Sequence, residues 1–231
     1  MPLTELIHVT AAYSNAVLAV VLPHVNEYAG KLNLPVPLPI TANEIQEFRV
    51  GRLQGFVMGG LWLTNHYEFA YGNGYVYGFT MMTNNPWRTD DPTQDWPSYV
   101  GAINMTTNEA ITLARSELVK LGYDLKALHA DVAPSSFEGG YQLREGPVPY
   151  CQIKWLKEAK TIEEKADASA IKVQINMHDK TLLGLNVVSR KLWQPEPDIE
   201  PKAELESEYR QRTQTRMYFN TNAPALLQKK E

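Results

Sequence analysis

Two side chains that can exchange protons lie close together in the run Asn65-His66-Tyr67-Glu68. Side chains two residues apart in a β-strand point to the same face of the sheet, so we expect His66 and Glu68 to be neighbours. A histidine and a carboxylate can carry out acid–base catalysis where a pocket shifts their pKa values. They are the candidate catalytic residues, and the alternative is a solvated pair on an exposed sheet face.

An acidic loop follows this region, in the segment Asp90-Asp91-Pro92-Thr93-Gln94-Asp95. Calcium takes about six to eight oxygen ligands, and three carboxylates with nearby carbonyl groups can supply several of them. The spacing differs from that of an EF-hand loop. Asp90, Asp91 and Asp95 are the candidate calcium ligands, and the alternative is a solvated loop.

Aromatic residues crowd the same part of the chain, from residue 62 to residue 96. Successive side chains of a strand alternate between its faces, so these rings cannot all point into one core. Some should form an exposed patch, a dimer surface or a ligand cleft. The alternative is that two halves of the chain pack together there. The candidate binding residues are Trp62, Tyr67, Tyr71, Tyr75, Tyr77, Trp87 and Trp96.

Other reactive residue types give weaker patterns. The single cysteine, Cys151, lies in an alternating apolar run, which predicts a small buried hydrophobe on a strand. One cysteine excludes an intrachain disulfide and a cysteine-rich zinc site. His24 lies on a predicted apolar helix stripe, so we expect it to be partly buried. The sequence contains no P-loop, dinucleotide fingerprint or nucleophile elbow.

The elements that would position these residues begin with a helix over roughly residues 9–31, which Pro23 should kink or divide. The capping-box spacing of Thr41 and Glu44 predicts a short helical stretch to about residue 48. Residues 55–64 have strand composition. A β-hairpin is predicted over residues 67–79, because Gly72-Asn73-Gly74 tolerates the positive φ of a tight turn.

The second half begins with a clearer helix, which Thr106 and Glu109 cap as a box and Gly122 ends. Strands are predicted near residues 141–144 and over residues 150–156. A closing hairpin over residues 171–188 turns at His178-Asp179-Lys180-Thr181. A polar helix is predicted over residues 202–217.

Composition limits the class of protein. The 231 residues are 44% hydrophobic and 21% charged, which is enough apolar material for a globular core. The net charge of −4 leaves no basic surface for nucleic acid. The apolar run 17–22 is too short to span a membrane. No lysine or arginine precedes Lys31, so the first residues of the sequence do not make a good signal peptide. We expect a cytoplasmic protein, or an extracytoplasmic one whose export signal has been removed.

Residues 104–190 resemble the PepSY family. The resemblance rests on the capped helix from Met105 to Tyr123, the strand Tyr150 to Trp155 and the hairpin Ile171 to Val188. It implies a cystatin-like sheet with a packed helix, often extracytoplasmic, that inhibits a peptidase or binds a ligand without catalytic residues. The first half resembles a divergent second copy, and its stretches 22–28 and 67–69 also resemble proteins of environmental bacteria.

We therefore predict an α+β protein with two helix-plus-antiparallel-sheet (PepSY/cystatin-like) units packed together. The units are residues 1–99, with the first helix and hairpin, and residues 100–193, followed by an extended tail over 194–231. The predicted function is a non-enzymatic binding or peptidase-inhibitor-like module without a cofactor. Its partner is a peptide, a protein or a small molecule, and a homodimer fits the aromatic surplus. The alternative is a calcium-dependent hydrolase of small esters or lactones.

Overall fold

Antiparallel strands and two helices make up the part of the chain that the structure, a computed structural model, describes. The described residues are 7–8, 11–53, 56–72, 74–82, 101–143, 146–159, 161 and 167–194. Within them the elements are β1 (Ile7–His8), α1 (Ala11–Lys31), β2 (Ile45–Leu53), β3 (Phe56–Leu63), β4 (Tyr67–Gly72), β5 (Tyr75–Met81), α2 (Thr107–Lys120), β6 (Ser136–Leu143), β7 (Gly146–Lys157), β8 (Ser169–Asn176) and β9 (Thr181–Ser189).

One sheet contains all nine of these strands, in the order β1-β2-β3-β4-β5-β9-β8-β7-β6. We call β2–β5 the first meander and β6–β9 the second meander. The α+β class is confirmed. The sequence predicts a separate sheet for each half, whereas β5 and β9 pair and join the two meanders. This pairing satisfies backbone groups that would otherwise lie along two open strand edges.

The junction between the meanders is short. It consists of the pairs Gly78↔Asn186, Phe79↔Leu185 and Thr80↔Gly184. On each side a bulge interrupts the next ladder just beyond the junction glycine, between Ala70 and Tyr71 in β4 and between Gln174 and Ile175 in β8. A bulge adds a residue to one strand and changes the direction of the side chains after it. The start of β5 therefore pairs with β4 in a register shifted by one residue, as Val76 with Tyr71 and Tyr75 with Gly72.

The main core lies between one face of the sheet and both helices. Because directly paired residues share a face, a single row of buried side chains crosses both meanders. This row contains Leu61, Phe69, Phe79, Leu185, Val173 and Ile153. The same cluster includes buried residues of α1 and α2.

The opposite face is polar along its centre, and a small buried cluster of Val148, Tyr150 and Leu183 lies apart from the main core. Its central row is Trp62, Glu68, Thr80, Gly184, Gln174, Gln152 and Glu138. Gln174 donates a hydrogen bond of 3.2 Å from Nε2 to Oε1 of Gln152. Lys154 forms an ion pair of 3.0 Å with Glu138. We call this surface the polar face.

α1 runs through Pro23 without interruption, so of the predicted kink or division, the division is wrong. A proline in a helix costs about 3 kcal/mol, and burial on the sheet offsets that cost. The buried positions are spaced mainly by four residues: Tyr13, Val17, Val21, Val25 and Ala29. Val20 and His24 lie beside this line and are exposed, so the predicted burial of His24 is also wrong.

The segment after α1 contains the predicted capping contacts but no helix. The backbone N–H and the hydroxyl of Thr41 both donate to the Glu44 carboxylate. These contacts close a turn, and β2 begins directly afterwards at Ile45. The predicted helical stretch to residue 48 is therefore wrong, because pairing with β3 supplies the backbone partners that a helix would have supplied.

α2 begins as the sequence predicts. Thr106 and Glu109 form a capping box, and Met105 is buried just before it. Gly122 follows the helix at φ +87°, a conformation that favours glycine. Neither helix in the described ranges is long and apolar enough to cross a membrane. The predicted boundary near residues 83–99 and the predicted helix over 202–217 lie outside those ranges.

Candidate functional site

A cleft opens on the helix side of the sheet, where α1 approaches the start of β5 and the end of α2. It has two lobes, of about 160 and 120 Å³. Both lobes share the same five lining residues, so they form one site, which we call the tyrosine cleft. The shared residues are His24, Gly74, Tyr75, Val76 and Gln194.

The larger lobe is mainly apolar. Val20 and Val21 line it from α1, and Tyr71 and Val76 line it from the first meander. Val21, Tyr71 and Val76 are buried, whereas Val20 is 36% exposed at the rim. This lobe can bury an aliphatic or aromatic group of a ligand.

The smaller lobe is lined by hydroxyl groups and charges. Tyr28 of α1 contributes the most buried of these groups, with 6% exposure. Its ring contacts Phe69 and Phe79 edge-on, at 6.4 Å between ring centres in each case. Its hydroxyl oxygen is buried and has no hydrogen-bond partner among the residues that the structure describes. A buried hydroxyl without a partner costs about 1–3 kcal/mol, so it calls for an explanation.

Two further tyrosines line this lobe. The Tyr75 hydroxyl donates to the backbone oxygen of Val187 at 3.3 Å and accepts from the backbone N–H of Ser189 at 3.5 Å. Tyr123, just after α2, lies close enough to Tyr28 and Tyr75 to affect their electrostatics. Burial raises the pKa of all three phenols above the ordinary value of 10.0. At neutral pH they are uncharged hydrogen-bonding groups.

The rim of the smaller lobe has balanced charges. Lys31 forms an ion pair of 2.7 Å with Glu27, one helical turn away. This hydrogen bond, and then the charge of Lys31, lowers the pKa of the Glu27 carboxyl. Both side chains are largely exposed, so the pair adds little to stability. It does leave the rim without a strong net charge.

The predicted binding residues lie in several places. Tyr71 and Tyr75 line the cleft. Tyr67 is buried in the core, where its ring stacks on Phe79 at 6.2 Å. Trp62 lies on the polar face, with the guanidinium of Arg49 5.1 Å from its ring centre.

Tyr77 is the extra residue of the β4–β5 bulge. Burial, and then the nearby charge of Glu68, raises the pKa of its phenol. Tyr77 does not line the cleft, but its ring contacts that of the cleft residue Tyr75 edge-on, at 6.2 Å between ring centres. Trp87 and Trp96 lie outside the described residues.

The candidate catalytic pair does not share a strand. His66 precedes β4 in a turn, with φ +67°, and its backbone N–H donates to the oxygen of Leu63. Glu68 lies within β4 on the polar face, between Trp62 and Thr80. Strand alternation therefore does not relate His66 to Glu68, and neither residue lines the cleft.

The candidate calcium ligands Asp90, Asp91 and Asp95 lie outside the described residues, so the calcium site stays a prediction. Within the described ranges, no three His, Cys, Asp or Glu side chains group as a metal site requires. Cys151 is fully buried, which confirms its predicted role as a small hydrophobe. Burial raises the pKa of its thiol to about 12, so it is not a reactive nucleophile.

Sequence reasoning missed most of the smaller lobe. Glu27, Lys31, Tyr123 and Gln194 carry no motif, and they come from segments far apart in the chain. Tyr28 was expected on the apolar stripe of the first helix, but its unpartnered hydroxyl has no counterpart in the sequence pattern. The one available signal was the surplus of tyrosine near residues 67–77.

Comparisons with known proteins leave the family open. No protein-family model matches the chain, and no curated protein matches it. Among solved structures, the chain is similar to the Bacillus megaterium YpeB C-terminal domain, with 11% sequence identity and a TM-score of 0.34, over 84% of this chain and 70% of that chain. A likeness at this score carries no argument about fold or function, so the PepSY resemblance stays a prediction.

Proposed function

We propose that the chain is a non-enzymatic binding module and that the tyrosine cleft is its ligand site. The observation that carries this proposal is the composition of the cleft. An apolar lobe adjoins a lobe lined by tyrosine hydroxyls, and the two share five lining residues from α1, the start of β5 and the end of the described chain. Ligand sites in proteins combine an apolar lining with a few polar groups in this way.

The chemistry of the lining favours binding over catalysis. Burial raises the pKa of the phenols of Tyr28, Tyr75 and Tyr123, so they hold their protons at neutral pH. A general base needs a pKa close to the working pH. These groups are suited to hold a ligand by hydrogen bonds rather than to remove a proton from it.

We also propose that the chain consists of two helix-plus-sheet units. Its support is the arrangement of the strands. Each helix precedes four strands, and the last strand of each set lies at the centre of the sheet. The bulges fall at the same distance from the junction in both meanders. Two copies of one unit, joined through their last strands, account for these regularities.

A matched pair of valine substitutions tests the location of the site. Val20 lies at the cleft on α1, and Val119 is a 56% exposed valine on α2 that does not line it. We expect the unmodified chain to bind acetophenone and ethylbenzene, as measured by saturation-transfer NMR titration. Val20→Trp should block the apolar lobe and remove binding, whereas Val119→Trp should retain it.

The result that would overturn this proposal is specific. If the folded chain binds neither probe, or if Val119→Trp weakens binding as much as Val20→Trp does, the cleft is not a ligand site. Circular dichroism spectra of both variants show whether each has retained its fold.

A further inference from the structure

We propose that the tyrosine cleft selects neutral ligands that combine an apolar ring or chain with one hydrogen-bond acceptor, and that the Tyr28 hydroxyl is the donor to this acceptor. This inference rests on the proposed function, because it concerns the ligand class of the same cleft. It goes further by assigning a specificity-determining residue, whose hydroxyl has no hydrogen-bond partner within the described part of the chain.

The state of the Tyr28 hydroxyl supports the role of donor. In most hydrogen bonds to a ligand, the donor must first give up water, and this loss offsets much of the gain. Here folding has already removed water from the hydroxyl, whose oxygen is buried and unpartnered. A ligand acceptor that bonds to the Tyr28 hydroxyl therefore regains the free energy that burial of this hydroxyl without a partner costs the folded chain. The selectivity for an acceptor should therefore be larger than at an exposed hydroxyl.

The charges around the cleft indicate a neutral ligand. Lys31 is paired with Glu27 at 2.7 Å, so the rim offers no unpaired cation from that pair to an anionic ligand. Apart from His24, Gly74 and Gln194, which both lobes share, the walls of the other lobe are valine and tyrosine side chains. Moving a carboxylate into such surroundings costs far more than moving a ketone, an amide or an alcohol.

The size of the cleft indicates a small ligand. Its lobes, of about 160 and 120 Å³, lie below the range of about 300–1,000 Å³ that drug-sized molecules occupy. A single ring with a polar substituent fits this space. The apolar lobe receives the ring beside Val76, and the smaller lobe receives the substituent beside Tyr28.

The acceptor reaches the Tyr28 hydroxyl only after a small rearrangement, because the oxygen is covered in the unliganded cleft. Tyr75 and Tyr123 line the same lobe and are partly exposed. Rotation of partly exposed side chains is fast compared with ligand exchange. The Tyr75 hydroxyl is held by Val187 and Ser189. Turning the Tyr123 ring is therefore the smaller rearrangement that would admit the acceptor.

The experiment compares two probes of similar shape on the full chain. Acetophenone carries a carbonyl acceptor, and ethylbenzene lacks one. Dissociation constants of both are measured by NMR titration for the unmodified chain and for Tyr28→Phe. Each probe's own affinity for water cancels when the ratio of the two constants is compared between the variants. We expect the preference for acetophenone to fall about three- to tenfold in Tyr28→Phe, which corresponds to one hydrogen bond.

Tyr67→Phe is the matched control, because Tyr67 is a buried tyrosine that does not line the cleft. It should leave the ratio unchanged, and benzoate should bind more weakly than acetophenone. An unchanged ratio in Tyr28→Phe, or a preference for benzoate, would overturn this inference while leaving the cleft as the ligand site. If the unmodified chain binds none of the probes, the proposed function itself is overturned.

Discussion

The first and second meanders have corresponding backbones but different side chains. Outward from the junction, the helix-side row continues with Phe69 and Leu61 in the first meander and with Val173 and Ile153 in the second. On the polar face of the first meander, the guanidinium of Arg49 lies 5.1 Å from the ring centre of Trp62. The second meander has an ion pair of 3.0 Å at the corresponding ladder positions, 154 and 138.

The tyrosine cleft lies beside the first meander, whose helix-side row contains aromatic side chains. Tyr71 and Val76, the first pair beyond the bulge in the first meander, line it. Both this pair and the corresponding pair of the second meander, Ile175 and Leu182, pack in the main core, but Ile175 and Leu182 do not line the cleft. In both meanders, alternation and bulge positions specify the backbone, whereas the size and polarity of a few side chains decide where a cleft forms.

Truncating the core should have the largest effect, and it should differ between the meanders. Phe69 is fully buried and contacts Tyr28 and Phe79. We expect Phe69→Ala to lower the free energy of unfolding by about 3–5 kcal/mol. Val173→Ala, at the corresponding position, removes two methyl groups and should cost about 2 kcal/mol. Urea denaturation measures both, and equal losses would contradict the difference between the two cores.

The thiol of the second meander should be almost unreactive in the folded chain. Burial raises the pKa of Cys151 from its ordinary 9.0 to about 12, so the folded state holds its proton more tightly than the unfolded state does. The associated stability is present below about pH 9 and is lost as the pH rises toward 12. Ellman's reagent at pH 8 should react about a thousandfold more slowly than with the urea-unfolded chain. Rapid labelling of the folded chain would contradict this prediction.

The glycines on either side of the junction should respond unequally. A Cβ at Gly78 would clash with the side chain of Asn186 and with the backbone oxygen of Leu185, which cannot easily move. A Cβ at Gly184 would meet the end of the Gln174 side chain at 2.6 Å, which can move. We expect Gly78→Ala to cost about 1–3 kcal/mol and Gly184→Ala less than about 1 kcal/mol. Thermal unfolding measures both losses, and a larger loss for Gly184→Ala would show that the junction is described wrongly.

The smallest effect should come from the cleft tyrosines in the absence of ligand. Tyr28→Phe removes a buried hydroxyl without a partner, so it should leave stability unchanged or raise it by up to about 1 kcal/mol. Tyr75→Phe removes the contacts with Val187 and Ser189 and should cost about 0.5–1.5 kcal/mol. Chemical denaturation of both variants checks the contrast. A clear loss in Tyr28→Phe would mean that its hydroxyl has a structural partner.

Much of the fold could be predicted from local pattern. The capping box at Thr106 predicts the start of α2, and alternation predicts both hairpins. The errors occur where a distant partner decides the outcome. The turn at residues 41–44 has the contacts of a helix cap, yet β3 draws the following residues into the sheet. His66 has the spacing of a strand residue, but the tight turn before β4 gives it a positive φ.

By itself, the sequence determined the helices, the hairpins and the α+β class, because capping and periodicity are encoded by residues close together in the chain. Only the tertiary structure decided that β5 pairs with β9 and that Tyr28, Tyr75 and Tyr123 meet in one cleft. These tyrosines come from a helix, a strand and the segment after the second helix. Their approach depends on packing between distant segments, and no local spacing records it.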